Sequence, residues 1–168
     1  MATSDSPGAA LAPGCLSGSI LTVDLDAIAA NYRTLCEKAD GAVCAGVVKA
    51  DAYGLGVEAV GQRLWQEGCR TFFVASLDEA IRLRGCLLDA EIVALNGLMP
   101  GEAGYYRECN LLPTLNDIDQ IEVWSAYCNT EGRLAAAVHL DTGMSRLGLS
   151  ASERRRLFDD PKIISGIV

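Results

Sequence analysis

Short apolar or β-branched runs alternate along this chain with stretches whose apolar residues recur every three or four positions. The runs lie at residues 20–25, 45–49, 71–75, 91–95, 111–114, 135–140 and 163–168. From Ala45 onward they come about every 20 to 30 residues, the rhythm of βα units feeding a parallel sheet. The intervening stretches carry helix signals. Asp26 is placed to cap a helix with Ile28, Tyr32, Leu35 and Cys36 on its apolar face. Val57, Val60, Leu64 and Trp65 form a second stripe, stopped by Gly68. Ser76 with Glu79, and Ser150 with Glu153, have the spacing of capping boxes, and Gly85 ends the first of these helices. Asn116 is read as the opening of another helix, with Ile118, Ile121, Trp124 and Cys128 on one face.

Parallel strands need both faces covered. Two architectures meet that need, an open doubly wound sheet and a (β/α)8 barrel. The open sheet usually carries a glycine-rich phosphate loop after its first strand. Here Gly54-Leu55-Gly56 follows a strand, but the third glycine of that fingerprint falls on Ala59.

Composition narrows the class. The chain has 168 residues, half of them hydrophobic and 21% charged, which suits one domain with a real core and excludes wholesale disorder. Asp and Glu number 22 against 14 Lys and Arg, a net charge of −8. That balance argues against a nucleic-acid binder, which needs a basic face. No apolar run is long enough for a membrane helix. Residues 1–18 are rich in Ala, Gly, Ser and Pro without periodicity and read as a flexible tail. The tail has no Lys or Arg, so it lacks the charged start of a signal peptide, and a cytoplasmic location is expected. The seven cysteines, Cys15, Cys36, Cys44, Cys69, Cys86, Cys109 and Cys128, are never closer than eight residues. No zinc spacing results, no metal is expected, and they read as small buried hydrophobes.

Two segments carry candidate chemistry. In VVKADAYGLG, Lys49 ends an apolar strand, at the edge of a parallel sheet where ligands bind. Apolar surroundings disfavour an ammonium's charge, and a neutral lysine amine is the group that adds to an aldehyde. Tyr53 and the backbone amides beyond it offer partners for a phosphate. The plainer alternative is a lysine reaching out to water, with the glycines making a turn. In HLDTGMSRLG, Arg146 again follows a strand and offers a planar fork suited to a carboxylate or a phenolate oxygen. Here the alternative is a solvated Arg paired with Asp141.

Together VVKADAYGLG and HLDTGMSRLG resemble the two signatures of the alanine racemase family, in the right order and each after a strand. The segments ILTVDLDAIAANYR and FFVASLDEAIRLR are similar to that family as well, so the resemblance spans residues 19–168. It implies an α/β fold, an incomplete (β/α)8 TIM-type barrel of about six parallel strands plus an N-terminal strand at 20–25. It also implies a pyridoxal 5'-phosphate enzyme that interconverts L-alanine and D-alanine for peptidoglycan. By the match, Lys49 would hold the cofactor covalently and act as the base on one face of the substrate. Tyr53 would hydrogen-bond the cofactor phosphate, and Arg146 would bind near the cofactor phenolic oxygen and the substrate carboxylate. The expected partners are L-alanine and D-alanine, with no nucleic acid and no membrane, and a homodimer for the full-length form.

The chain also departs from the family. A complete barrel has eight strands and roughly 250 residues, and the family's opposite-face base, a tyrosine of a second domain, has no match here. A fragment of a longer product, inactive alone, is therefore expected. Tyr105, Tyr106 and Tyr127 read as packing residues rather than substitutes for that base. His139, the one histidine, stands where many members carry a carbamylated lysine, and a neutral imidazole cannot replace that charge. No second ligand near His139 suggests a metal. Asp51 stands where asparagine is more usual and adds a negative charge beside Lys49. Two further functions fit the same residues: a barrel that binds the cofactor without catalysis, and a racemase of another small amino acid such as serine.

Overall fold

The computed structural model describes residues 18–168. Residues 1–17, with most of the expected tail and Cys15, lie outside the described residues. The first helix, α1 (Leu25–Lys38), is capped by Asp24, whose carboxylate accepts from the amides of Asp26 and Ala27 at 2.9 and 3.0 Å. The cap thus sits two residues before the expected Asp26. Starting the helix at Leu25 removes the strand expected at 20–25. Ile20 and Leu21 stay exposed, with no described strand beside them to complete a ladder.

Five parallel strands form the sheet: β1 (Gly46–Val47), β2 (Thr71–Val74), β3 (Glu91–Ala94), β4 (Leu112–Leu115) and β5 (Ala137–Val138). They lie side by side in chain order, β2 and β3 pairing from Thr71 with Glu91 to Val74 with Ala94. A doubly wound sheet reverses its order at a switch point; an unbroken sequential order is the wall of a barrel. Helices α2 (Lys49–Gly54), α3 (Val57–Gln66), α4 (Leu77–Arg84), α5 (Ala103–Glu108) and α6 (Ile118–Glu131) alternate with the strands, and α7 (Ala151–Asp159) follows β5.

The run at 163–168 is a further correction to the expected count of six strands plus one. Asp160 accepts from the Lys162 amide at 3.2 Å and caps a 3-10 turn, Pro161–Ile164. Proline's fixed φ favours a first helical turn there. Ile167 then makes a single bridge to Leu134.

Phe72, Val74, Ile92, Ala94 and Leu115 from the sheet are fully buried. Against them pack Val57, Val60 and Leu64 of α3, and Ile118, Ile121, Trp124 and Cys128 of α6, all buried as their spacing predicts. The α1 stripe holds less well: Tyr32 is buried, but Leu35 is 57% exposed. Trp124 meets Tyr106 edge-on, with ring centroids 6.1 Å apart, and stacks on Tyr127 at 5.8 Å. Both tyrosines are packing residues. Cys69 and Cys128 are buried, whereas Cys36, Cys44, Cys86 and Cys109 are half-buried. Among the described residues, no helix is long and apolar enough to cross a membrane, and no His/Cys/Asp/Glu group is arranged to hold a metal.

Candidate functional site

The carboxyl ends of the strands converge on a cavity of about 430 Å³. Lys49 enters it just beyond β1, Ala75 beyond β2, Leu95 and Asn96 beyond β3, and His139 beyond β5; the loop after β5 adds Arg146 and Leu147. The two segments singled out in the sequence therefore meet at one place, on the edge where parallel sheets bind ligands.

Lys49 is positioned by an unusual turn. The chain leaves β1 with the Val48 amide still bonded to Phe73 O at 2.9 Å. It then winds left-handed, with φ of 52, 56, 52 and 57° at Ala50, Asp51, Ala52 and Tyr53. Such a conformation costs an L-residue roughly 1–2 kcal/mol, so the turn needs contacts that hold it. Glu79, near the start of α4, supplies two. Its Oε1 accepts from the Ala50 amide at 2.9 Å, and its Oε2 from the Ala75 amide at 2.7 Å. Ser76 caps α4 by accepting from the Glu79 amide, but the Glu79 side chain serves the neighbouring strand ends rather than closing the capping box. Asp51 Oδ1 accepts from the Val57 amide at 2.9 Å and pairs with Arg82 at 3.1 Å. Ala52 is buried beneath the turn. Lys49 itself is half-buried. Tyr53, at the far end of the turn, is 62% exposed and does not line the cavity.

The second segment is shaped by Asp141. Its carboxylate accepts from the Gly143 amide at 2.9 Å and the Ser145 amide at 3.0 Å. These bonds hold its carboxyl below the ordinary 3.8. The pairing of Asp141 with Arg146 therefore does not form; Arg146 is exposed and has no ion-pair partner among the described residues. Gly148, at φ 100°, lies so close to the start of this loop that a Cβ would stand 2.8 Å from the Asp141 nitrogen.

His139 and Asn116 complete the site. Asp117, not Asn116, caps α6, accepting from the Gln120 amide at 2.8 Å. Asn116 is buried at the end of β4. Its Nδ2 donates to Leu95 O at 2.9 Å and to Thr114 O at 3.3 Å, and its Oδ1 lies 2.8 Å from His139 Nδ1. Sequence reasoning missed Asn116, Asn96 and Glu79 as site residues. The first two follow strand ends directly, the position that pointed to Lys49, so the same rule would have found them.

The charge of the cavity is opposite to that of the chain. Lys49 and Arg146 are its charged lining residues and no carboxylate is among the lining, although the net charge is −8; the nearby Glu79 carboxylate is engaged by the Ala50 and Ala75 amides. Apolar walls from Ala75, Leu95 and Leu147 complete a site suited to a small anionic ligand.

Residues 23–166 match the family of the alanine racemase N-terminal domain. The chain is 56% identical over 137 residues to the alanine racemase of Methylobacterium sp. (strain 4-46), covering 81% of this chain and 38% of that protein. To the catabolic alanine racemase of Agrobacterium fabrum it is 48% identical over 158 residues, covering 93% and 40%. The crystal structure of alanine racemase from Bartonella henselae with covalently bound pyridoxal phosphate superimposes with a TM-score of 0.83 at 39% identity, covering 86% of this chain and 43% of that one. The chain thus spans about two fifths of the length of these relatives.

Proposed function

The chain belongs to the alanine racemase family, and from that premise we propose that its cavity holds pyridoxal 5'-phosphate and serves the interconversion of L-alanine and D-alanine. The observation that carries this reading is the meeting of Lys49 and Arg146 in one anion-suited cavity at the carboxyl edge of the sheet. The lining fits the cofactor's chemistry: an amine for its aldehyde, a guanidinium for an oxyanion, and apolar walls for a flat ring.

Lys49 would hold the cofactor covalently through Nζ and, when its amine is free, would serve as the base toward the substrate Cα on one face. When bound, the cofactor supplies an electron sink for the pair left behind by that proton. Arg146 presents its fork to the substrate carboxylate and to the ring's phenolic oxygen. Tyr53, exposed at the far end of the turn and outside the cavity lining, would have to swing inward to give its phenol to the phosphate. Residues 19–168 are read as the barrel domain that carries these groups. The whole protein is read as a cytoplasmic homodimer.

The test is covalent trapping. Protein incubated with pyridoxal 5'-phosphate and reduced with borohydride is digested and weighed by peptide mass. The label is expected on the peptide containing Lys49 and is expected to vanish in Lys49→Ala. An undiminished label on another lysine in that variant would reject the assignment.

A further inference from the structure

A buried asparagine and the sole histidine of the chain form a unit that the proposed chemistry does not use. Asn116 bridges three successive strand ends. Its Nδ2 is committed as a donor to Leu95 O and Thr114 O, so the atom facing His139 Nδ1 at 2.8 Å is the Oδ1 acceptor. An amide oxygen has no proton to give, so Nδ1 carries one. In a neutral ring, Nε2 is then a bare lone pair. Free histidine prefers the opposite tautomer, with the proton on Nε2. Asn116 therefore sets a polarity that the residue would not adopt alone.

The ring is fixed on a second side. A Cβ at Gly148 would stand 3.1 Å from His139 Cδ2, so the imidazole edge lies against the segment that follows Arg146. His139 and Arg146 line the same cavity. Among the described residues, neither Nε2 nor the guanidinium has a hydrogen-bond or ion-pair partner. The nearest acid in sequence, Asp141, is engaged by the Gly143 and Ser145 amides. Glu79, at the other side of the cavity mouth, is engaged by the Ala50 and Ala75 amides. The charged groups that share the cavity with the ring are Lys49 and Arg146, both cationic. An Nε2 lone pair left open by the Nδ1–H tautomer is complementary to the N–H donors of the guanidinium.

We propose that Asn116 is a positioning residue that locks His139 as the Nδ1–H tautomer, so that Nε2 becomes the acceptor orienting the Arg146 guanidinium over the cavity. The contact between ring and guanidinium is not made in this structure. Arg146 is long and exposed, and rotation of its side chain is the movement the proposal requires. The inference rests on the proposed function only for what Arg146 then binds; the tautomer itself needs no cofactor.

The test is nitrogen NMR of the imidazole under mildly alkaline conditions, unambiguous because the chain has one histidine. The wild type is expected to show a protonated Nδ1 and a bare Nε2 whose resonance is displaced by an accepted hydrogen bond. Arg146→Ala, a change on an exposed loop, is expected to move Nε2 toward the free value and leave Nδ1 unchanged. Asn116→Ala is expected to return the proton to Nε2. A protonated Nε2 in the wild type overturns the proposal outright, whatever happens to the buried Asn116 variant. An Nε2 resonance indifferent to Arg146→Ala overturns the positioning role. Failure of cofactor trapping on Lys49 would leave both readouts untouched, so the two readings fail separately.

Discussion

Glu79 gives the sharpest prediction. Its two carboxylate oxygens each accept one backbone amide, Ala50 in the left-handed turn and Ala75 at the end of β2. The residue thereby ties the segment carrying Lys49 to the neighbouring strand end. A hydrogen bond to a charged group contributes about 1.5–3 kcal/mol, and losing both amides' partner leaves two donors for water to satisfy. Glu79 is half-exposed, so water recovers part of the loss, and Glu79→Ala is expected to cost about 2–3 kcal/mol. At roughly 2–4 °C per kcal/mol for a chain of this size, the melting temperature falls by about 4–12 °C. Glu79→Gln is the decisive control. It keeps the volume and one acceptor oxygen, but it turns an NH2 group toward the second amide donor. It is therefore expected to lose at least half as much as the alanine variant. Thermal unfolding followed by circular dichroism reads both, alongside cofactor trapping at Lys49, which is expected to weaken in parallel. If Glu79→Gln melts within about 1 °C of wild type, the two-acceptor account of the turn is wrong.

Two further predictions concern the loop after β5. Gly148→Ala combines a positive φ with a Cβ 2.8 Å from the Asp141 nitrogen. Left-handed strain and overpacking against backbone together cost about 2–5 kcal/mol, readable as a shifted urea midpoint with an unchanged slope. Asp141 has a folded carboxyl below its ordinary 3.8. Its stabilisation is thus present above the unfolded value and is lost as pH falls through the folded one. Hydrogen exchange at the Gly143 and Ser145 amides is expected to lose protection on that acid limb, and Asp141→Asn is expected to remove the pH dependence there.

Much of the fold was legible because spacing is a local property. Apart from a half-buried Trp65, the apolar stripes on α3 and α6 are buried as read, and β2 and β3 fall within a residue of their expected ends. Lys49 and Arg146 were legible because each follows an apolar run, and the edge of a parallel sheet brings such residues together. The run at 20–25 misled because β-branched residues signal a strand only where a neighbour completes the ladder. The handedness of the turn after Lys49 was hidden, since Ala-Asp-Ala-Tyr reads locally as ordinary right-handed helix. Asn116 looked like a helix cap because its partners, Leu95 and His139, are more than twenty residues away on either strand side.

The screw sense of residues 50–53 also dictates which substitutions the protein tolerates there. Mirror-image backbone inverts the usual ranking: Gly, Asn and Asp become the welcome replacements, while Val, Ile and Thr are shut out by their branching, however similar in size. A saturation library at the exposed Ala50 would thus sort its survivors by tolerance of a positive φ rather than by hydrophobicity or volume. A D-amino acid introduced at Ala50 by chemical ligation would sit there more comfortably than the natural enantiomer.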